Sequence, residues 1–254
     1  MTTWEPQTYL RYADIRFRAG LDLLARIPKL EYRTIYDLGC GTGHLTRILA
    51  DTFPDAKVVG VDSSPEMLAE ARREFPIIDW QQDDISSWNP VAPADLIYTN
   101  AALQWVPDHE TLLPRLLNKL QPGGVLAMQV PRHFESPSHL ALKELVMQGE
   151  WHAKLEPLLL TPVPPPETYW RWLSPHTRNL DLWETIYLQV LDGRDPVVNF
   201  MRGTALRPLL SAMQDDETAE FIDAFAKRMA AAYPPQSNGQ TLFPFRRMFL
   251  VAQR

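Results

Sequence analysis

The chain has 254 residues, a hydrophobic fraction of 45% and a charged fraction of 22%, enough for the core of one α/β domain with insertions. Its net charge of −6 counts against nucleic acid, whose binding calls for a basic face, but arginines inside a cleft can still hold a small anion. No apolar run approaches the roughly 18 to 20 residues that span a bilayer, the first residues carry no signal-peptide core, and the single Cys40 cannot form an internal disulfide, so a cytoplasmic chain is expected.

In chain order, Leu10, Leu21, Leu24 and Ile27 recur at helical spacing and predict a helix over 8–27. Apolar runs and helical patterns then alternate: a strand over 34–38, a helix over 43–53, a strand over 57–61 and a helix over 65–74. Pro65 suits the first helical position, and Ser63 or Ser64 its cap. Strands follow near 77–80 and 95–99, then a helix over 109–120 and a strand over 124–130. This alternation predicts a Rossmann-like, doubly wound, mostly parallel seven-stranded sheet.

Beyond it lie a helical pattern over 136–151, a proline-rich stretch over 157–166 that reads as a rigid extended connector, and a strand over 180–191. Two helices, over 195–213 and 216–233, precede a final strand over 243–252. Inserted between the last two strands, those helices are expected to cap the carboxyl edge of the sheet, where ligands of such folds bind.

The stretch Thr34 to Thr46, TIYDLGCGTGHLT, climbs through an apolar run into Asp37 and breaks into Gly39, Gly41 and Gly43. A bare turn between a strand and a helix lets a ligand approach the backbone. Dinucleotide enzymes use G-x-G-x-x-G there, whereas here the third glycine comes one position early. His44 beside the turn reads as structural. Asp62 ends the second strand, where a carboxylate can accept both hydroxyls of a ribose.

With Asp37 two residues before the first glycine, DLGCGTG resembles the D/E-x-G-x-G-x-G signature of the S-adenosylmethionine-dependent methyltransferases. The pieces W-x-P-x-x-Y-L at 4–10, NAALQWVPDH at 100–109, GTALRP at 203–208 and NGQ at 238–240 extend the resemblance over nearly the whole chain, to the trans-aconitate 2-methyltransferases. Arg132, His133 and the proline-rich connector depart from that pattern.

The resemblance implies a single domain over 1–254. Within it, residues 1–30 form a helix covering the cofactor, 31–135 the cofactor-binding core and 192–242 the acceptor cap. For S-adenosylmethionine it implies Asp37, Gly39, Cys40, Gly41 and Gly43 at the turn, with Asp62 and Ser63 at the ribose. Asp84 and the Ile85 amide then take the adenine, and Asn100 follows the fourth strand. Cys40 itself reads as a small, weakly polar turn residue rather than a reactive thiol.

The implied reaction is methyl transfer to a carboxylate of trans-aconitate or a related polycarboxylate, giving a monomethyl ester and S-adenosylhomocysteine. A carboxylate is ionised at neutral pH, so no general base is expected, only positioning, with Tyr9 and Trp105 as candidates. Recognition of the acceptor falls to arginines, whose planar fork matches carboxylates: Arg207 and Arg247, then Arg16, Arg18 and Arg132, with Tyr187 and Gln104 beside them. No metal-ligand spacing is present, and a monomer is expected. The alternatives are a methyltransferase for another small acid or a carbon acceptor, a nicotinamide-binding oxidoreductase, and a non-catalytic ligand-binding module.

Overall fold

The computed structural model describes residues 13–254, with side chains from residue 17 onward. The helix expected over 8–27 is seen as α1 (Ala13–Leu24), which buries Ala19 and Leu23, and the part before residue 13 lies outside the described residues. The alternating segment follows as β1 (Thr34–Leu38), α2 (His44–Thr52), β2 (Lys57–Asp62), α3 (Pro65–Glu74), β3 (Asp79–Gln82), β4 (Ala94–Asn100), α4 (His109–Asn118) and β5 (Leu120–Pro131). After β5 come α5 (Pro137–Gln148), α6 (His152–Leu155), α7 (Pro166–Leu173), β6 (Asn179–Leu191), α8 (Pro196–Arg202), α9 (Arg207–Leu210), α10 (Asp215–Ala232) and β7 (Thr241–Gln253).

The seven strands take the order β3-β2-β1-β4-β5-β7-β6. Strands β1 to β5 pair in parallel, and β7 runs antiparallel to β5. The interior strands β1, β4 and β5 read as near-continuous apolar runs because both faces of a wound sheet are covered. The strand order reverses between β1 and β4, and a crevice opens at the carboxyl ends of such a pair. Among the described residues no helix is long and apolar enough to cross a membrane.

Two compact units make up the chain. Of the described residues, the larger takes those up to Pro131, then Val163–Thr185 and Arg247–Arg254, and the smaller takes Arg132–Pro162 and Ile186–Arg246. The cap expected over 192–242 therefore belongs to a unit that also includes α5 and α6.

Several boundaries differ from expectation for local reasons. The third strand sits two residues later than predicted, because Ile77 is 82% exposed and pairing with β2 begins at Asp79. The helix predicted over 136–151 stops at Gly149 and resumes at His152. The helix predicted over 195–213 is two pieces, α8 ending at Gly203 and the short α9. The proline-rich connector is not extended throughout: residues 156–158 form a 3-10 turn and Pro166 opens α7 as its first residue, a position that proline's fixed φ favours.

Trp80 on β3 explains two of the glycines. Its indole donates from Nε1 to the Phe75 carbonyl (3.1 Å) and lies against Gly43 and Gly60, where an added Cβ would come within 2.3 Å of the ring. Gly60→Ala is expected to cost about 1–3 kcal/mol, as overpacking of a filled interior does. An unchanged urea midpoint would show that the indole gives way freely.

Candidate active site

The crevice between β1 and β4 is a cleft of about 270 Å³. Its walls come from the glycine turn (Gly39, Gly41), the end of β2 (Asp62, Ser63), the loop after β3 (Asp84, Ile85, Ser86) and the segment after β4 (Asn100, Ala101, Ala102, Trp105). A smaller cavity of about 30 Å³ shares Gly39, Gly41 and Asn100 and adds Phe17, Asp37 and Cys40. All these residues belong to the larger unit.

The turn is left-handed at all three glycines, with φ of +76° at Gly39, +57° at Gly41 and +83° at Gly43. The amides of Gly39 and Cys40 both donate to the Val61 carbonyl, so they do not face a ligand. Gly41 has open space where a Cβ would sit, whereas Gly43 packs on Trp80 and lines neither cavity. The bareness thus serves two ends, a ligand cradle at Gly41 and tight packing at Gly43.

Asp62 is fixed by its neighbours. The Gly41 amide donates to Oδ2 (2.8 Å) and the Ser64 amide to Oδ1 (2.9 Å), leaving further lone pairs on a carboxylate that lines the cleft. Burial raises its pKa above the ordinary value, opposed by those amide bonds. Ser64, not Ser63, caps α3, its hydroxyl accepting from the Met67 amide (3.2 Å).

On the adjoining loop, Asp84 takes the amide and hydroxyl of Ser86 on Oδ1, at 2.7 and 2.6 Å, and these bonds hold its pKa below the ordinary value. Oδ2 is left for a donor outside the loop. Asp37 is only 2% exposed, accepts the Thr46 hydroxyl (2.6 Å), and is pushed up to about 7 by burial. Burial also raises the Cys40 thiol well above its usual value, consistent with an inert turn residue.

The far wall carries backbone strain and unsatisfied polar atoms. Ala101 sits at φ +55°, held by its amide to the Gln129 carbonyl (3.0 Å) and by Gln104 Nε2 donating to its own carbonyl (2.6 Å). Asn100 Oδ1 and Gln104 Oε1 are buried without a partner among the described residues. His109 steadies the turn that follows, donating from Nε2 to the Leu103 carbonyl (2.7 Å) while Nδ1 accepts the Tyr169 hydroxyl (2.5 Å). Trp105, 37% exposed, closes the rim. His44 is tied to Thr42 and Glu74 and stacks on Phe17, which fits its structural reading.

Among the described residues no side chain lining the cleft is basic, and two turn amides are already spent on Val61. The arrangement is poorly suited to a pyrophosphate and well suited to a ligand with hydroxyls and a cationic amine.

The acceptor candidates are dispersed. Arg247 is 3% exposed in the larger unit, its Nη1 donating to Gln129 Oε1 (2.9 Å). Arg132, Tyr187 and Arg207 belong to the smaller unit: Arg132 pairs with Glu135 (3.5 Å), Tyr187 is buried, and Arg207 opens α9 half-buried between the fully buried Leu206 and Leu209. Tyr9 and the side chain of Arg16 lie outside the described residues, and Arg18 is exposed. Sequence reasoning missed Met67 and Ala101 in the cleft wall and Gln129 behind it. An interior glutamine in an apolar strand was the available signal for the last.

Residues 35–124 match the family model of a methyltransferase domain. Over 255 residues, all of both chains, the protein is 49% identical to a trans-aconitate 2-methyltransferase of Azoarcus sp. (strain BH72). It is 42% identical over 256 residues to one of Methylobacterium nodulans, covering 100% of this chain and 99% of that one. Its fold is similar to that of a phosphoethanolamine N-methyltransferase 2 of Haemonchus contortus solved with S-adenosyl-L-methionine (TM-score 0.55, 16% identity, 93% of this chain and 52% of that one). Identity of this order along the full length, on a methyltransferase-type sheet with the crevice where that fold binds its ligand, shows that the chain belongs to the trans-aconitate 2-methyltransferase family of S-adenosylmethionine-dependent enzymes.

Proposed function

We infer that the chain transfers a methyl group from S-adenosylmethionine to a carboxylate of trans-aconitate, yielding a monomethyl ester and S-adenosylhomocysteine. The observation that carries this reading is the acidic, amide-poor cleft at the strand-order reversal in a chain so similar, end to end, to enzymes of that name. When bound, the donor supplies an electrophilic methyl on a sulfonium.

The chain's own residues hold and orient. Asp62 accepts from the ribose hydroxyls, Asp84 Oδ2 and the Ile85 amide take the adenine, and Asp37 with Asn100 Oδ1 receive the ammonium. Gly39, Cys40, Gly41, Gly43 and Ser63 shape the surrounding backbone. The nucleophile is already anionic at neutral pH, so no residue has a proton to remove; catalysis is in-line positioning away from water. Arg207 and Arg247 take acceptor carboxylates, with Arg132, Tyr187, Gln104, Trp105, Tyr9 and Arg16 as further lining. In this reading residues 31–135 serve the donor, 192–242 the acceptor, and 1–30 cover the donor. The protein works as a cytoplasmic monomer on a small anion and not on nucleic acid, in keeping with its net charge of −6.

The test is incubation with methyl-labelled donor and a panel of polycarboxylic acids. Base-labile label on trans-aconitate is expected, and label on none of the acids would overturn the assignment. Asp62→Ala should weaken donor binding by roughly 1.5 to 3 kcal/mol, because charge-assisted bonds to hydroxyls are lost. Calorimetry giving an unchanged dissociation constant removes Asp62 from the donor site.

A further inference from the structure

Arg115 sits half-buried on α4, and its fork reaches back to the loop after β3: Nη2 donates to the Ile85 carbonyl (2.7 Å) and Nη1 to the Trp88 carbonyl (3.2 Å). A planar guanidinium can serve two carbonyls at once, which fixes both their separation and their direction. Trp88 is fully buried and anchors the far end of the loop, whereas Asp84, Ile85 and Ser86 at its near end line the cleft. Arg115 is itself outside that lining.

One peptide carries its effect to Asp84. The Ile85 carbonyl and the Ser86 amide belong to the same planar unit and point in opposite directions, so holding the oxygen fixes the N–H. That N–H donates to Asp84 Oδ1 (2.7 Å), where the Ser86 hydroxyl joins it (2.6 Å). The Ser87 and Trp88 amides donate to the Asp84 carbonyl (3.0 and 2.7 Å), and the Trp88 carbonyl is the second atom that Arg115 holds. The aspartate is thus set at two points, its carboxylate through the Ile85–Ser86 peptide and its backbone through the turn that closes on Trp88. Asp84 is exposed, and fixing its rotamer before a ligand arrives removes part of the ordering cost of binding.

We propose that Arg115 is a positioning residue for the methyl donor: from α4 it orients the Ile85–Ser86 peptide, which turns Asp84 Oδ2 toward the amine of the adenine. An apolar side chain could pack α4 on the loop, but burial is non-directional, and the two hydrogen bonds add the direction that it lacks. The inference rests on the reading of Asp84 as the adenine contact.

Calorimetry with S-adenosylhomocysteine and with its inosine analogue, whose base carries an oxygen where adenine has the amine, separates positioning from packing. The wild type should favour the adenine form at least about tenfold, since a carboxylate accepts from an amine and repels a carbonyl oxygen. R115M, which keeps the stem and loses the fork, should bind S-adenosylhomocysteine about tenfold more weakly and narrow that preference by about threefold or more. R115K keeps the charge without the fork and should lie between. In a D84A background R115M should cost no more than about twofold further, because the group it positions is gone. A structural Arg115 would lower the melting temperature and weaken both ligands by one factor, leaving the preference as it was. If D84A leaves the preference unchanged, the adenine reading of Asp84 fails. If D84A narrows it while R115M and R115K stay within about twofold of wild type, or if R115M costs the same with and without Asp84, the role of Arg115 fails.

Discussion

Asp37→Asn is expected to stabilise the ligand-free protein at pH 8 while weakening its hold on the methyl donor. The carboxyl is 2% exposed, has one neutral donor in Thr46, and feels the negative charge of Asp62; burial above all pushes its pKa up to about 7 from the ordinary aspartate value of about 4. A folded-state value raised above the unfolded one favours the protonated form. The stabilisation is whole below pH 4 and is lost as pH rises through 7. By pH 8 the ionised group costs the fold up to about 4 kcal/mol relative to its neutral form, at 1.36 kcal/mol for each pH unit between the two values.

Asparagine stays neutral and can still accept the Thr46 hydroxyl. Urea denaturation of both proteins at pH 5 and pH 8 should show a gap in favour of the variant that widens by about 1–3 kcal/mol at the higher pH. Donor affinity should fall about tenfold or more, since a cation then meets an amide in place of a carboxylate. A gap that does not change with pH would mean that Asp37 titrates normally. Unchanged donor affinity would remove Asp37 from the donor site.

Arg207→Ala is the second large effect, expected to lower kcat/KM for trans-aconitate by roughly 2 to 4 kcal/mol, the loss appropriate to a desolvated charge pair. Arg207 opens α9, where Leu206 and Leu209 anchor the turn in the smaller unit, so truncating the side chain leaves the anchoring residues in place. Donor affinity should barely move. Arg207→Lys should recover part of the loss, because an ammonium keeps the charge without the planar fork. Acceptor kinetics within about twofold of wild type, in a variant that melts normally, would reduce Arg207 to a packing residue.

The cleft was legible in the sequence because it is made of turns that directly follow strands: an apolar run that stops at Asp62 or Asn100 announces its own carboxyl end. For the proposed acceptor side the sequence offered only a set of arginines, since an arginine's partner depends on long-range packing. Arg247 and Gln129 lie 118 positions apart and meet only because β7 runs back along β5. Helix α7 was missed because the prolines before it read as a connector, although the last of them, Pro166, begins it. The break between α8 and α9 at Gly203 was smoothed over by a helical pattern that continues through Leu206 and Leu209.

Pro131 stands opposite Arg247 in the β5–β7 register, and the Arg132 amide donates to the Arg246 carbonyl. The chain therefore departs on its long excursion and returns from it at adjacent positions of one ladder. A segment whose two ends are already joined can be lengthened, shortened or exchanged with little entropic penalty, since loop closure grows only with the logarithm of length, by roughly 0.6 kcal/mol per doubling. Within that stretch residues 163–185 return to the larger unit and β6 to the sheet, so tolerance of exchange is expected only of the segments over 132–162 and 192–242. Changes there leave the β5–β7 register, and with it the strand ends that wall the cleft, as they are.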